Sequence, residues 1–170
     1  GVVHLGLTEW SAPDSTPAEL SDAEALVLLF VGRFESRKGI DTFLAAVPDL
    51  LRDRSDLVVV AVGEDRPLAP HEPLVGEHWL ELHENEPWIG RVHFPGVVDD
   101  EQLHAFYERA DVVALPSRYE SFGLVMAEAM MHGKPVVACD TSGVREVVRS
   151  GTDGILVEPG DPDALRTACA

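Results

Sequence analysis

Two small groups of residues in this chain have the types and spacing to do chemistry. The first is Gly32-Arg33-Phe34-Glu35-Ser36-Arg37-Lys38-Gly39, which follows an apolar run and precedes a helical pattern. Arg33 and Lys38 flank the expected helix start, and two fixed cations beside free helix N–H groups suit a diphosphate. The order is neither a P-loop nor a GxGxxG fingerprint, and on spacing alone a solvated basic turn fits equally well. The second group is Pro116-Ser117-Arg118-Tyr119-Glu120-Ser121-Phe122-Gly123-Leu124-Val125-Met126-Ala127-Glu128, which holds two glutamates with seven residues between them. Glu120 belongs to a loop, whereas Glu128 falls one turn into a helix whose first amides Gly123 leaves open. Among Met126, Ala129 and Met130, a carboxylate at 128 needs donors such as sugar hydroxyls or a basic neighbour, because unpaired burial is costly. An ordinary helix glutamate pointing to solvent is the competing reading.

The elements that must position these groups follow from hydrophobic patterning. Ala25–Val31 and Leu57–Val62 are continuous apolar runs ended by Gly32 and Gly63, as strands buried on both faces require. A helix is expected over Ile40–Arg52, kinked or restarted at Pro48. Glu72–Asn85 reads as a helix with Trp79 and Leu82 inward, and Val92–Phe94 as a short strand. Asp99 or Asp100 caps a helix to Ala110, packed through Leu103, Phe106 and Tyr107. Strand Asp111–Leu115, helix Gly123–Met131 and strand Val136–Ala138 follow, with His132-Gly133 stopping the helix. A short helix near Val144–Arg149 leads to strand Gly154–Val157, and Asp161-Pro162 opens a final helix. Strands alternating with helical connections, without hairpin signals, define an α/β fold with a doubly wound parallel sheet. Such sheets bind ligands at the carboxyl ends of their strands.

Composition narrows the partners. The 170 residues suffice for one domain, and 45% hydrophobic with 25% charged residues is ordinary for a globular chain. A formal charge of −17, from 30 acidic against 13 basic residues, argues against nucleic acid. No apolar run is long enough to cross a bilayer. Cys139 and Cys169 lack CxxC spacing, and a buried thiol is the reading for Cys139. His71, His78 and His83 match no zinc spacing, so no metal site is expected. Gly1 in place of Met suggests that the natural protein extends upstream.

Taken in order, Gly32-Arg33, Lys38-Gly39, Pro116-Ser117, Glu120-Ser121-Phe122-Gly123, Glu128-Ala129, Gly133-Lys134-Pro135-Val136-Val137-Ala138 and Gly154-Ile155-Leu156-Val157 resemble the retaining GT-B glycosyltransferases of family 4. The glutamates match that family's E-x7-E motif, and the resemblance runs from about Ala25 to Leu165. It implies one Rossmann-like half of a GT-B fold over residues 25–170, with residues 1–24 as interdomain strand (Val2–Leu7) and linker. It implies a nucleotide-diphosphate-sugar donor held by Gly32, Arg33, Lys38, Arg91, Val92, Glu120, Phe122, Gly123, Leu124 and Glu128. Within that set Glu120, Arg33 and Lys38 are the catalytic candidates, Glu128 would accept from the ribose hydroxyls, and the backbone near Arg91-Val92 would contact the base. Leaving-group charge would fall on the two cations and the helix amides, so neither cofactor nor metal is expected. The acceptor (glycan, lipid or small molecule) would bind an absent N-terminal domain, and the isolated chain would turn over little. The expected location is cytoplasmic, at the inner membrane surface as a peripheral protein if membrane-associated. A GT-B epimerase and a non-catalytic nucleotide-sugar-binding module are the alternatives.

Overall fold

The structure, a computed structural model, describes residues 16–121 and 123–170. The expected interdomain strand Val2–Leu7, most of the linker and Phe122 lie outside the described residues. The elements run β1 (Leu26–Val31), α1 (Ile40–Asp53), β2 (Leu57–Val62), α2 (Val75–Leu82), β3 (Val92–Gly96), α3 (Asp100–Arg109), β4 (Val112–Leu115), α4 (Leu124–Met131), β5 (Val136–Cys139), α5 (Ser142–Arg145), β6 (Gly154–Val157) and α6 (Pro162–Cys169).

The six strands form one parallel sheet in the order β3-β2-β1-β4-β5-β6. After β1 the chain winds outward through β2 and β3, then returns to place β4 on the other side of β1. The direction of winding therefore reverses between β1 and β4, and their exit loops open a crevice at that point. Alternation along β1 feeds two cores. Leu28 and Phe30 join Phe34, Phe43, Val47, Leu51 and Leu165 on the α1/α6 face. Val27 and Leu29 join Phe106, Tyr107, Met126 and Ala129 on the α3/α4 face. Burial on both faces explains why the central strands carry no polar residue.

Local chemistry sets the helix ends. Asp99 accepts from the Gln102 N–H while Gln102 answers to the Asp99 N–H, a capping box that fixes the start of α3. Asp161 caps α6 with Pro162 at its first position.

Three expectations need correction. Helix α1 runs unbroken from Ile40 to Asp53, so Pro48 does not restart it; Val47, Leu50 and Leu51 around it are buried. Leu82 does not point inward: α2 ends there, and the side chain is 67% exposed beside an open groove, while Trp79 alone is buried against Trp88 and Phe94. The helix expected at Val144–Arg149 instead spans Ser142–Arg145, and a turn continues it to Val148, which is buried with Val144. No helix among the described residues is long and apolar enough to cross a membrane.

Candidate functional site

The β1 exit loop is shaped before any charge is considered. The Gly32 N–H donates to the Val62 carbonyl, and fully buried Phe34 pins the loop into the core. A 3-10 turn over Ser36–Lys38 then lifts Lys38 to the sheet edge, ending at Gly39 with φ +74°. Gly39 lies so close to β4 that an added Cβ would stand 2.0 Å from the Pro116 carbonyl oxygen. The loops after β1 and β4 are thus pressed together, backbone on backbone.

Arg118 fastens the same junction. Its guanidinium donates two 2.7 Å bonds to the two carboxylate oxygens of Asp41, one to the Ser36 carbonyl and one to Thr42 Oγ1. Burial alone would push the Asp41 carboxyl up, but hydrogen bonding to Arg118 and its charge hold it below its ordinary value. Sequence reasoning missed Arg118 as a fastener; a cation in a strand-exit loop was the available signal.

Across the crevice, Lys38 Nζ donates to Glu120 Oε2 at 2.7 Å, with side chains only 19% and 14% exposed. The two groups read separately from sequence are therefore one constellation. Burial pushes the Glu120 carboxyl up; the bond and charge of Lys38, with backbone N–H groups of Ser121 and Gly123, outweigh it and leave a carboxylate below its ordinary range. Gly143 at the start of α5 closes the other side, where an added Cβ would be 2.2 Å from the Glu120 carbonyl oxygen. Gly123 is the left-handed N-cap of α4 (φ +79°) and supplies no side chain to its first turn, from which Leu124 projects exposed.

Glu128 lies half-buried in α4 and accepts from the Tyr107 hydroxyl at 3.0 Å through Oε2. Burial raises its carboxyl above the ordinary value against the opposing hydrogen bond from Tyr107. It does not face solvent fully, and among the described residues its side-chain donor is Tyr107, expected only to pack, rather than a basic group. Arg33 stays on the crevice loop, its side chain about half exposed and 3.5 Å from Glu35.

Arg91 and Val92 are not brought to this site. The Arg91 guanidinium donates to the carbonyls of Leu51, Arg54 and Leu57, tying the end of α1 to the start of β2. Val92 is the buried first residue of β3, paired with Val59. Both therefore occupy the amino end of a parallel strand, opposite the crevice. The residues that leave β3 at the crevice end are Gly96, Val97 and Val98, with Val97 76% exposed.

The chain matches the family described as Glycosyl transferases group 1 over residues 25–170. It belongs to that family. It is 39% identical over 139 residues to the D-inositol 3-phosphate glycosyltransferase of Corynebacterium diphtheriae, covering 80% of this chain and 31% of the relative. In structure it is similar to sucrose-phosphate synthase of Thermosynechococcus elongatus (TM-score 0.72, 34% identity, 91% of this chain and 39% of the other). It is also similar to Anabaena HepE solved with UDP-glucose (TM-score 0.69, 29% identity, 90% and 42%). The chain spans about a third of the length of the curated relatives it matches. Its six-stranded parallel sheet is thus the α/β, Rossmann-like half of a GT-B fold.

Proposed function

We propose that the chain is the donor-binding domain of a retaining, metal-independent glycosyltransferase and holds a nucleoside-diphosphate sugar at the β1/β4 crevice. The observation that carries this reading is the Lys38–Glu120 contact, which places a cation and a carboxylate together at the winding reversal of the sheet. HepE, similar in fold, is solved with UDP-glucose, which supports this donor class.

Without donor, Glu120 neutralises Lys38. An incoming diphosphate competes for the ammonium and releases the carboxylate to accept from sugar hydroxyls. As the acceptor hydroxyl oxygen bonds to the anomeric carbon, the bond from that carbon to the phosphate oxygen breaks; its electron pair goes to the departing phosphate oxygen, which takes up the hydroxyl proton. Lys38 and Arg33 then stabilise that charge, which is larger in the transition state than in the ground state. Arg33, about half exposed and paired with Glu35 among the described residues, turns onto the phosphates. Glu128, oriented by Tyr107, takes the ribose hydroxyls, and the base lies along Gly96–Val98 rather than Arg91–Val92. The acceptor arrives from a domain preceding this one, so the isolated chain binds donor but transfers sugar poorly.

The test is a thermal-shift panel of UDP-, GDP- and ADP-sugars on the chain, repeated with Arg33→Ala and Glu128→Ala. At least one nucleotide sugar raises the melting temperature of the wild type, and each substitution weakens the response. No response from the wild type, or full responses from both variants, overturns the site. A transferase assay on the longer protein, with Lys38→Ala as the inactive control, then separates an enzyme from a binding module.

A further inference from the structure

A second group of polar side chains lies between α3 and the end of α4, outside the crevice. His104 Nδ1 stands 2.9 Å from His132 Nε2, and His132 Nδ1 stands 2.9 Å from Glu108 Oε1. His104 is buried and the His132 side chain is only 4% exposed, whereas Glu108 is half exposed. His104 and Glu108 are four residues apart on α3 and share a face, and His132 comes from the C-cap of α4. Ligand atoms of all three lie within 4.8 Å of one another.

We propose that His104 and His132, oriented by Glu108, form a binding site for a borderline divalent cation such as zinc. The hydrogen bonding sets up the ligands. His132 donates its Nδ1–H to the Glu108 carboxylate, which fixes the tautomer and turns the Nε2 lone pair toward His104. A carboxylate behind an imidazole is the arrangement that orients metal-bound histidines and raises their basicity. The His132 ring is further held flat on Tyr107, with centroids 5.3 Å apart and planes 13° from parallel.

The spacing suits a tetrahedral ion. At the usual Zn–N length of about 2.0–2.1 Å, two imidazole nitrogens lie ~3.3 Å apart. The observed 2.9 Å needs to open by only about 0.4 Å from the geometry. Imidazole donors suit zinc, copper or nickel and disfavour magnesium and calcium, which want oxygen cages. Water entering beside half-exposed Glu108 completes the coordination. Lys134, whose ammonium donates to the Glu108 backbone carbonyl at 2.7 Å, is an opposing charge beside the site, and the Glu108 carboxylate offsets it.

Such an ion would cross-link the helices that carry Tyr107 and Glu128, since His132 lies against Tyr107 and Tyr107 donates to Glu128. The site does not depend on the donor-binding reading, and its test is independent of turnover. Chelator-stripped chain is titrated with Co2+ and followed by visible absorption, with Zn2+ as the displacing ion. One equivalent of Co2+ gives a ligand-field band that Zn2+ removes. His104→Gln and His132→Gln each abolish the band, and Glu108→Gln weakens binding about 10–100-fold. Zn2+ raises the melting temperature of the wild type and not that of His132→Gln. Because Glu108 is half exposed, Glu108→Gln keeps the test decisive even if a histidine variant misfolds. Absence of the band at millimolar Co2+, or unchanged affinity in His132→Gln and Glu108→Gln, overturns the proposal.

Discussion

Gly39→Ala is the sharpest probe of how the crevice is built. Two costs add at this position. The first is conformational: a side chain at φ +74° adopts the left-handed region, at about 1–2 kcal/mol. The second is steric. The new Cβ would meet the Pro116 carbonyl oxygen at 2.0 Å, whereas real Cβ contacts essentially never fall below 3.0 Å. One loop must therefore retreat by about 1 Å, and forced overpacking of this kind costs roughly 1–3 kcal/mol. Gly151→Ala is the matched control, because Gly151 has φ +79° but nothing within 4 Å of its added Cβ. The conformational cost cancels between the two variants, leaving a difference of about 2 kcal/mol. For a chain of this size that corresponds to roughly 4–8 °C between their melting temperatures. Thermal denaturation by circular dichroism reads this directly. Equal melting temperatures, within about 2 °C, would refute the claim that the β1 and β4 loops are held by backbone contact at Gly39.

Two further predictions follow from the charges around that contact. Lys38→Met leaves Glu120 largely buried without its ammonium, at roughly 2 kcal/mol at neutral pH, less than the ~3–5 kcal/mol of a fully buried pair. Because the folded Glu120 carboxyl lies below its ordinary value, its contribution is present above the unfolded value of about 4.3 and is lost as pH falls through the folded value. The melting-temperature gap between wild type and Lys38→Met should therefore close as pH falls below about 4; a gap constant from pH 7 to 3 rejects the assignment. Arg118→Ala should raise the Asp41 titration midpoint, measured by carboxyl 13C NMR, while costing only about 1 kcal/mol because both partners are over a third exposed. An unmoved midpoint would show that Arg118 does not hold Asp41 in solution.

The strands were legible because a parallel strand buried on both faces has to be apolar throughout, as Ala25–Val31 and Leu57–Val62 are. Helix starts were legible where a side chain does the capping, at Asp99 and Asp161. Leu82 and the Val144–Arg149 segment were misread because their placement depends on where a neighbouring element ends, not on their own periodicity. Arg91 shows a different failure. Residues at the crevice must follow a strand, and Arg91 precedes one; the polarity of β3 was sufficient to exclude it.

The Lys38–Glu120 contact marks the limit of reading along the chain. The two residues are 82 positions apart, and only the strand order, which sets β4 beside β1, brings them within 2.7 Å. Each exit loop holds its charge through contacts that leave no room for a side chain, at Gly39 against Pro116 and at Gly143 against Glu120. Backbone packing therefore places the loops that carry the cation and the carboxylate, and the ion pair joins their side chains. Under the proposed donor-binding role, that has an energetic consequence. On that proposal a diphosphate that displaces Glu120 from Lys38 gives up one ion pair, while the backbone contacts at Gly39 and Gly143 are separate from the groups exchanged. Preorganisation of this kind allows the same two groups to neutralise each other in the empty site and to act on the donor in the filled one.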